Sequence, residues 1–142
     1  MPHKDPVNWQ PISKMPLIAS MIHGALVDTR GYLETLGEAR TRPHVLDDAT
    51  IDRTERVHAE QMEFIDIYAQ QISRWRTEKL SADQTRELDR MEAQNAHLRT
   101  VTADVLALAQ ELRKGTIERV LGMSDIELGL HVLLTNRQQG RR

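Results

Sequence analysis

The stretch from Ser81 to Gly115 most constrains the fold, because it has the pattern of one long amphipathic helix. Apolar or weakly polar residues recur there at alternating spacings of three and four, at Leu88, Met91, Asn95, Leu98, Thr102, Val105, Ala109 and Leu112. Such spacing places side chains on one face of an α-helix. Ser81 followed by Gln84 forms a capping box that starts a helix, and Gly115 is typical of a helix end. The sequence therefore predicts a helix over residues 82–114 on which the rest of the chain packs.

Two stretches upstream show the same periodicity. Residues 16–39 begin with a proline, which suits a first helical turn, and carry the stripe Ile18, Ile22, Ala25, Thr29, Tyr32 and Leu36. Residues 48–79 follow the N-cap residue Asp47 and carry the stripe Ile51, Glu55, His58, Met62, Ile65, Ala69 and Ile72. Only a few residues separate the second helix from the third, so we expect these two helices to form an antiparallel hairpin.

The two ends of the chain are predicted to differ from this helical body. Residues 1–15 are rich in proline, which lacks an amide donor and favours an extended arm. Because the arm carries Trp9, we expect it to dock along a groove of its own bundle or of a neighbouring subunit. At the other end, a capping box at Ser124 contributes to a prediction of short helices within 117–134, and the basic residues 135–142 are predicted to form a frayed tail.

Together these elements predict one all-α domain, an antiparallel up-down helical bundle built on a long helical hairpin, with short C-terminal helices. Aromatic residues make up 4% and charged residues 28% of the 142 residues, a balance that suits long exposed helices. A net charge of -2 provides no overall field to gather nucleic acid or anionic lipid. Cysteine is absent, which excludes disulfides and thiolate metal sites. Without an apolar run of membrane-spanning length or a signal-peptide core, we expect no membrane partner and a cytoplasmic protein.

The pair Glu55 and His58 is the strongest candidate for a metal site. Its Glu-x-x-His spacing places a carboxylate and an imidazole on one helix face, and it resembles the ligand pair of ferritin-like di-metal carboxylate proteins. That resemblance implies bound iron, manganese or zinc, although the second pair and the two further glutamates of such a site are not found in the sequence. The alternative is a histidine at the edge of the core that is hydrogen-bonded to a carboxylate.

A second pattern, arginine followed by histidine after four to six residues, occurs at Arg53 with His58 and at Arg90 with His97. It resembles the short motif of a class of all-helical ribonucleases whose active site forms at a dimer interface. In such a site histidine would act as general base and arginine would hold the phosphate. The polar residue that typically follows the arginine is replaced by Thr54 or Met91 here.

Five residues suggest contacts between chains. Gly24 and Gly31 lie seven apart on one helix face and would let another helix approach closely, or they are merely tolerated. Asn95 occupies a core position of the third helix, a device by which coiled coils select register and partner number, or it faces solvent at an end of the bundle. Trp9 on the arm and Trp75 at the hairpin tip are further candidates, although Trp75 would equally close the end of the core.

We therefore expect a non-enzymatic, homodimeric interaction or scaffold module without a cofactor. If it binds another protein, an amphipathic helix or an extended segment lying in an apolar groove is the favoured ligand. The long helices with apolar stripes are similar in general shape to flagellar export chaperones. The metal-carboxylate bundle and the ribonuclease are the alternative hypotheses.

Overall fold

The computed structural model of the chain describes residues 7–42 and 46–121, with side chains up to residue 115. Three helices occupy these ranges: α1 (Met15–Glu38), α2 (Asp48–Trp75) and α3 (Ala82–Leu121). A single 3-10 turn, Ile12–Lys14, precedes α1, and the described residues contain no strand. The prediction of an all-α helical bundle is confirmed.

Side-chain caps start α2 and α3 where the sequence predicts them. Asp47 accepts a hydrogen bond from the amide of Thr50 at 2.8 Å. Ser81 Oγ accepts from the amide of Gln84 at 3.1 Å, and Gln84 Oε1 accepts from the amide of Ser81 at 2.9 Å. Each bond satisfies a donor that the first helical turn would leave unpaired, which is why both helices begin at these positions.

The helix ends differ from the sequence-based expectation. Helix α3 does not stop at Gly115 but continues to Leu121, so residues 117–121 belong to it and do not form a separate short helix. Gly115 has no positive φ, and the glycine penalty of about 1 kcal/mol in a helix does not by itself end one. The other predicted C-terminal helices and the frayed tail fall at 122–142, outside the described residues.

Helix α2 ends at Trp75, four residues before the expected boundary at residue 79. The Thr77 hydroxyl donates to the carbonyl of Arg74 at 2.7 Å, and the Thr77 amide donates to the same oxygen at 3.2 Å. These bonds occupy a carbonyl that would otherwise be left open at the helix end, so the chain turns there. The prediction that the helix continues to residue 79 was therefore wrong.

Helix α3 is the central element, because α1 and α2 each pack closely along it and approach each other much less. Three apolar clusters follow its length: one with Met15, Ile22, Ile72, Trp75, Leu88 and Met91, a second with Leu26, Ile65, Leu98 and Val101, and a third with Leu36, Val105 and Leu108. From the first cluster to the third, residue numbers increase on α1 and on α3. From the first cluster to the second, they decrease on α2. Helix α2 thus runs opposite to the other two. None of the described helices has the length and apolar character required to cross a membrane.

Asn95 lies in this core, with 5% of its surface exposed. Its Nδ2 donates to the backbone carbonyl of Ile65 on α2 at 3.0 Å, whereas Oδ1 is buried and has no hydrogen-bond partner. The bond to a carbonyl determines which end of the amide is the nitrogen. Asn95 therefore links α2 to α3 within one chain, at the cost of an unpaired acceptor.

We expect Asn95→Leu to raise the free energy of unfolding by about 1 kcal/mol, because it removes a buried polar group whose acceptor is unsatisfied. The adjoining cleft, lined by Ala69 and Ala96 among others, leaves room for the larger side chain. Urea denaturation followed by circular dichroism measures the change. Asn95→Ala is the control and should lower stability because it leaves a cavity. A loss of stability in Asn95→Leu comparable with that in Asn95→Ala would contradict this assignment.

Candidate functional site

A polar layer crosses the middle of the bundle and is centred on Gln61 of α2. Its Nε2 donates to Thr29 Oγ1 on α1 at 2.9 Å and to Thr102 Oγ1 on α3 at 2.8 Å. Both threonines are buried, and each hydroxyl donates in turn to a carbonyl of its own helix at 2.7 Å. One side chain thus connects all three helices, and the polar groups in these bonds are paired.

A second polar group lies towards the start of α2. The Tyr32 hydroxyl donates to Thr54 Oγ1, which itself donates to the carbonyl of Thr50 at 2.9 Å. His58, 6% exposed, bonds through Nδ1 to the carbonyl of Thr54 at 2.8 Å. Because a carbonyl only accepts, Nδ1 carries the proton. The ring centroids of Tyr32 and His58 lie 4.9 Å apart, so the histidine packs against the tyrosine at the core edge. The polar partner of His58 is a backbone oxygen, and the prediction of a carboxylate partner was wrong.

Glu55 and His58 are not brought together around a common point. Glu55 Oε1 accepts from Arg113 Nε at 3.1 Å, and the same guanidinium also pairs with Asp52. Hydrogen bonds that Arg113 donates to Asp52 first and then to Glu55 raise the pKa of Arg113. The cation beside Glu55 is therefore a guanidinium, while His58 is bonded to backbone. Within residues 7–42 and 46–121, no three histidine, aspartate or glutamate side chains converge on a possible metal position.

The two arginine–histidine pairs are also separated. Arg53 is exposed, whereas His58 is buried against Tyr32. Arg90 pairs with Glu87 at 2.6 Å. His97 accepts instead from Arg30 of α1, with 2.8 Å between Arg30 Nη2 and His97 Nδ1. Neither pair places a general base beside a phosphate-binding group.

Large apolar side chains lie exposed along the side where α1 and α2 border each other. This surface, here called the α1–α2 face, consists of Leu17, Met21, Tyr32, Val57 and Phe64, whose exposed fractions range from 38% to 55%. Tyr32 contacts α2 directly, and Met21 and Leu17 follow towards the start of α1 at helical spacing. Val57 and Phe64 are seven residues apart on α2 and line one cleft. Exposed apolar surface of this kind, concentrated on one side, is typical of an interaction site.

The cleft in this face has a volume of about 230 Å³. Its walls include Ala25 of α1 together with Val57, Phe64 and Tyr68 of α2, and the buried Leu98 of α3 lies at its base. Burial raises the pKa of Tyr68 above its usual value. The cleft exists because α1 and α2 pack on α3 and not closely on each other.

Gly24 and Gly31 lie beside this face, three and ten residues after Met21. Both are exposed, and a Cβ added to either would have no atom of the described chain within 4 Å. The contacts within one chain therefore do not require a glycine at either position. The space over this side of α1 is open.

The remaining two predicted interface residues belong to the arm and its docking site. Trp75 is fully buried, and its Nε1 donates to the carbonyl of Gln10 at 2.9 Å. Trp9 is half-buried beneath the guanidinium of Arg74, with 4.2 Å between Cζ and the ring centroid. The arm therefore lies against the end of α2 in its own chain. Trp75 closes the core, and like Asn95 it offers almost no surface to a second chain.

Val57 and Phe64 are not among the site residues predicted from the sequence. Each directly precedes a residue of the predicted core stripe, His58 and Ile65. The signal was present, because Val57, Gln61, Phe64 and Tyr68 form a second stripe with the same three-to-four spacing. An apolar band wider than one neighbouring helix can cover indicates a second contact surface.

Comparison of the chain with family models, with curated proteins and with solved structures found no match.

We expect Gln61→Ala to lower the free energy of unfolding by about 1–3 kcal/mol, because it removes two buried hydrogen bonds that connect α2 to the other helices. Gln70→Ala is the matched control, since Gln70 is exposed on the same helix. Both values come from urea denaturation. Equal effects in the two variants would show that the polar layer contributes nothing specific.

Proposed function

We propose that this chain is a non-enzymatic interaction module that acts as a homo-oligomer, in which two copies associate through the α1–α2 face. The observation that carries the proposal is the set of five large apolar side chains exposed on that one face. Covering them removes apolar surface from water at about 25 cal/mol per Å², which is the main favourable term in protein association.

The packing of the bundle supports this choice of surface. Helices α1 and α2 use their buried stripes on α3, and the cleft between them remains open to solvent. A helix from a second copy placed over the cleft would complete a four-helix arrangement around the same core. Gln61 lines this cleft, and its Nε2 already donates to two threonines within the chain.

The glycines of α1 support the same surface. A glycine in a helix interior costs about 1 kcal/mol relative to alanine, and the interior of this chain requires neither Gly24 nor Gly31. Small residues on an exposed helix face let a second backbone approach closely, which gains dispersion contacts over the length of the crossing.

The enzyme hypotheses lack a comparable arrangement. Glu55 is paired with Arg113, His58 with a backbone carbonyl, and Arg53 lies away from His58 at the surface. No described group of acidic and histidine residues forms a metal-binding cluster. We therefore propose neither a metal-dependent nor a nuclease activity.

We expect Phe64→Glu to convert the dimer to a monomer, because the carboxylate would have to be desolvated in the apolar interface. The affinity should fall at least 100-fold, which corresponds to about 2.7 kcal/mol. Light scattering over a concentration series measures the association state, and circular dichroism checks that the helices persist.

Ala107→Glu is the matched control for Phe64→Glu. Ala107 is exposed on α3, two residues after the buried Val105, and it lies outside the α1–α2 face. It should leave association unchanged. A parent protein that is monomeric at high concentration would refute the proposal, and equal effects of the two variants would refute the choice of face.

We expect Gly24→Ala and Gly31→Ala to have opposite effects on folding and on association. Each should stabilise the single chain by about 0.5–1 kcal/mol, because alanine favours the helix and has room for its Cβ. Each should weaken the dimer, because the methyl group separates the crossing helices. Sedimentation and dilute-solution denaturation measure the two effects.

Gly37→Ala is the corresponding control. Its Cβ also meets no atom within 4 Å, but Gly37 lies near the end of α1 and away from the proposed crossing. It should stabilise folding without changing association. An unchanged dimer affinity in Gly24→Ala and Gly31→Ala would exclude α1 from the interface.

A further inference from the structure

The arm is bound by contacts to its main chain. The amide of Gln10 donates to Gln71 Oε1 at 2.7 Å, and the carbonyl of Gln10 accepts from Trp75 Nε1 at 2.9 Å. Gln71 Nε2 also approaches that carbonyl, at 3.4 Å. Both backbone groups of one arm residue are thus bound by two side chains of α2.

The side chain of Gln10 is not used for binding to the bundle. Its Nε2 turns back to the carbonyl of Asn8 at 3.0 Å. The bundle therefore recognises an extended backbone at this position, whatever the side chain. This is the way in which peptide-binding proteins obtain affinity from main-chain hydrogen bonds and specificity from neighbouring positions.

The neighbouring positions supply the specificity. Before the clamped residue, Arg74 lies over the ring of Trp9, a cation–π contact that requires an aromatic residue. After it, Pro11 is extended, with φ -67° and ψ 159°. A residue that precedes proline is itself confined to extended conformations, so Gln10 loses little further freedom when it binds.

The side chains that form the site belong to α2, and two of them are buried with the arm in place. Gln71 is 5% exposed and Trp75 is fully buried, and Trp75 belongs to the apolar cluster with Met15, Ile72 and Leu88. The arm is attached through three hydrogen bonds of Gln10 to these side chains, the ring contact of Trp9 and the packing of Ile12 against that cluster. All of these contacts are made by residues 9–12, so a separate peptide with the same pattern can compete for them.

We propose that Gln71, Arg74 and Trp75 form a binding site for an extended peptide segment with the pattern aromatic residue, any residue, proline, which residues 9–11 of the chain occupy in cis. A partner protein that presents this pattern in an extended segment displaces the arm. The proposal concerns the end of α2 and is independent of association through the α1–α2 face.

The test uses the full chain with Gln10→Pro. This substitution removes the amide that Gln71 accepts from, so the arm is released while Gln71, Arg74 and Trp75 stay intact. The probe is the acetylated hexapeptide of residues 7–12, VNWQPI, added unlabelled to ¹⁵N-labelled protein. The indole N–H resonance of Trp75 reports occupancy, and its position in the parent protein marks the occupied state.

We expect the peptide to move the Trp75 resonance of Gln10→Pro towards its position in the parent. Its affinity for the parent should be at least about fivefold weaker, because the parent arm competes and only the open fraction binds. Two controls accompany the titration: the peptide VNWPPI, which lacks the amide, and the variant Gln10→Pro/Gln71→Met, which lacks the clamp. Neither VNWPPI added to Gln10→Pro nor VNWQPI added to Gln10→Pro/Gln71→Met should shift the Trp75 resonance.

Three results would overturn the proposal. The first is that the peptide does not shift the Trp75 resonance in Gln10→Pro. The second is that its affinity is equal for the parent and for Gln10→Pro. The third is that its affinity for Gln10→Pro/Gln71→Met equals its affinity for Gln10→Pro. Circular dichroism of each variant checks that its helical content is retained, so that a loss of binding can be distinguished from a loss of fold.

Discussion

Burial of the α3 stripe is the interaction on which the rest of this structure depends. Leu88, Leu98 and Val105 are fully enclosed, and they become so only because α1 covers one side of the stripe and α2 the other. Each covering helix is held by apolar contact with α3, which is proportional to area and non-directional. In this chain both covering helices pack on α3 and approach each other much less. The open α1–α2 face is therefore a consequence of the way the core is built.

The polar groups inside the bundle supply what apolar burial lacks, which is a defined position along the helix axis. Gln61 can reach Thr29 and Thr102 together only when the three residues lie at the same level along the bundle axis. Asn95 adds a bond to the α2 backbone at another level, although its free acceptor makes this link costly. Networks in which every member is paired rigidify a core, and a partly paired one contributes less. The paired layer therefore positions the helices, and Asn95 is a weaker device.

The two candidate surfaces differ in the kind of partner that they fit. The α1–α2 face presents apolar side chains and open glycines, and it suits a helix that approaches broadside. The arm site presents the polar ends of Gln71 and Trp75 at the end of α2, and it suits an extended backbone. Both lie outside the positions where the sequence suggested chemistry. Glu55 and His58 serve the fold, through Arg113 and through the backbone of Thr54.

The sequence by itself determined the helical class, the starts of α2 and α3, and the core stripe of α3, because periodicity and capping are local properties. Asp47, Ser81 and Gln84 make their bonds within one turn, so no distant residue is needed to foresee them. The helix ends were less predictable, since Gly115 permits a helix end without requiring one. Only the tertiary structure decided the partner of each polar side chain and which apolar residues remain uncovered. Phe64 and Ile65 are adjacent and both apolar, and the packing of α2 against α3 places one at the surface and the other in the core.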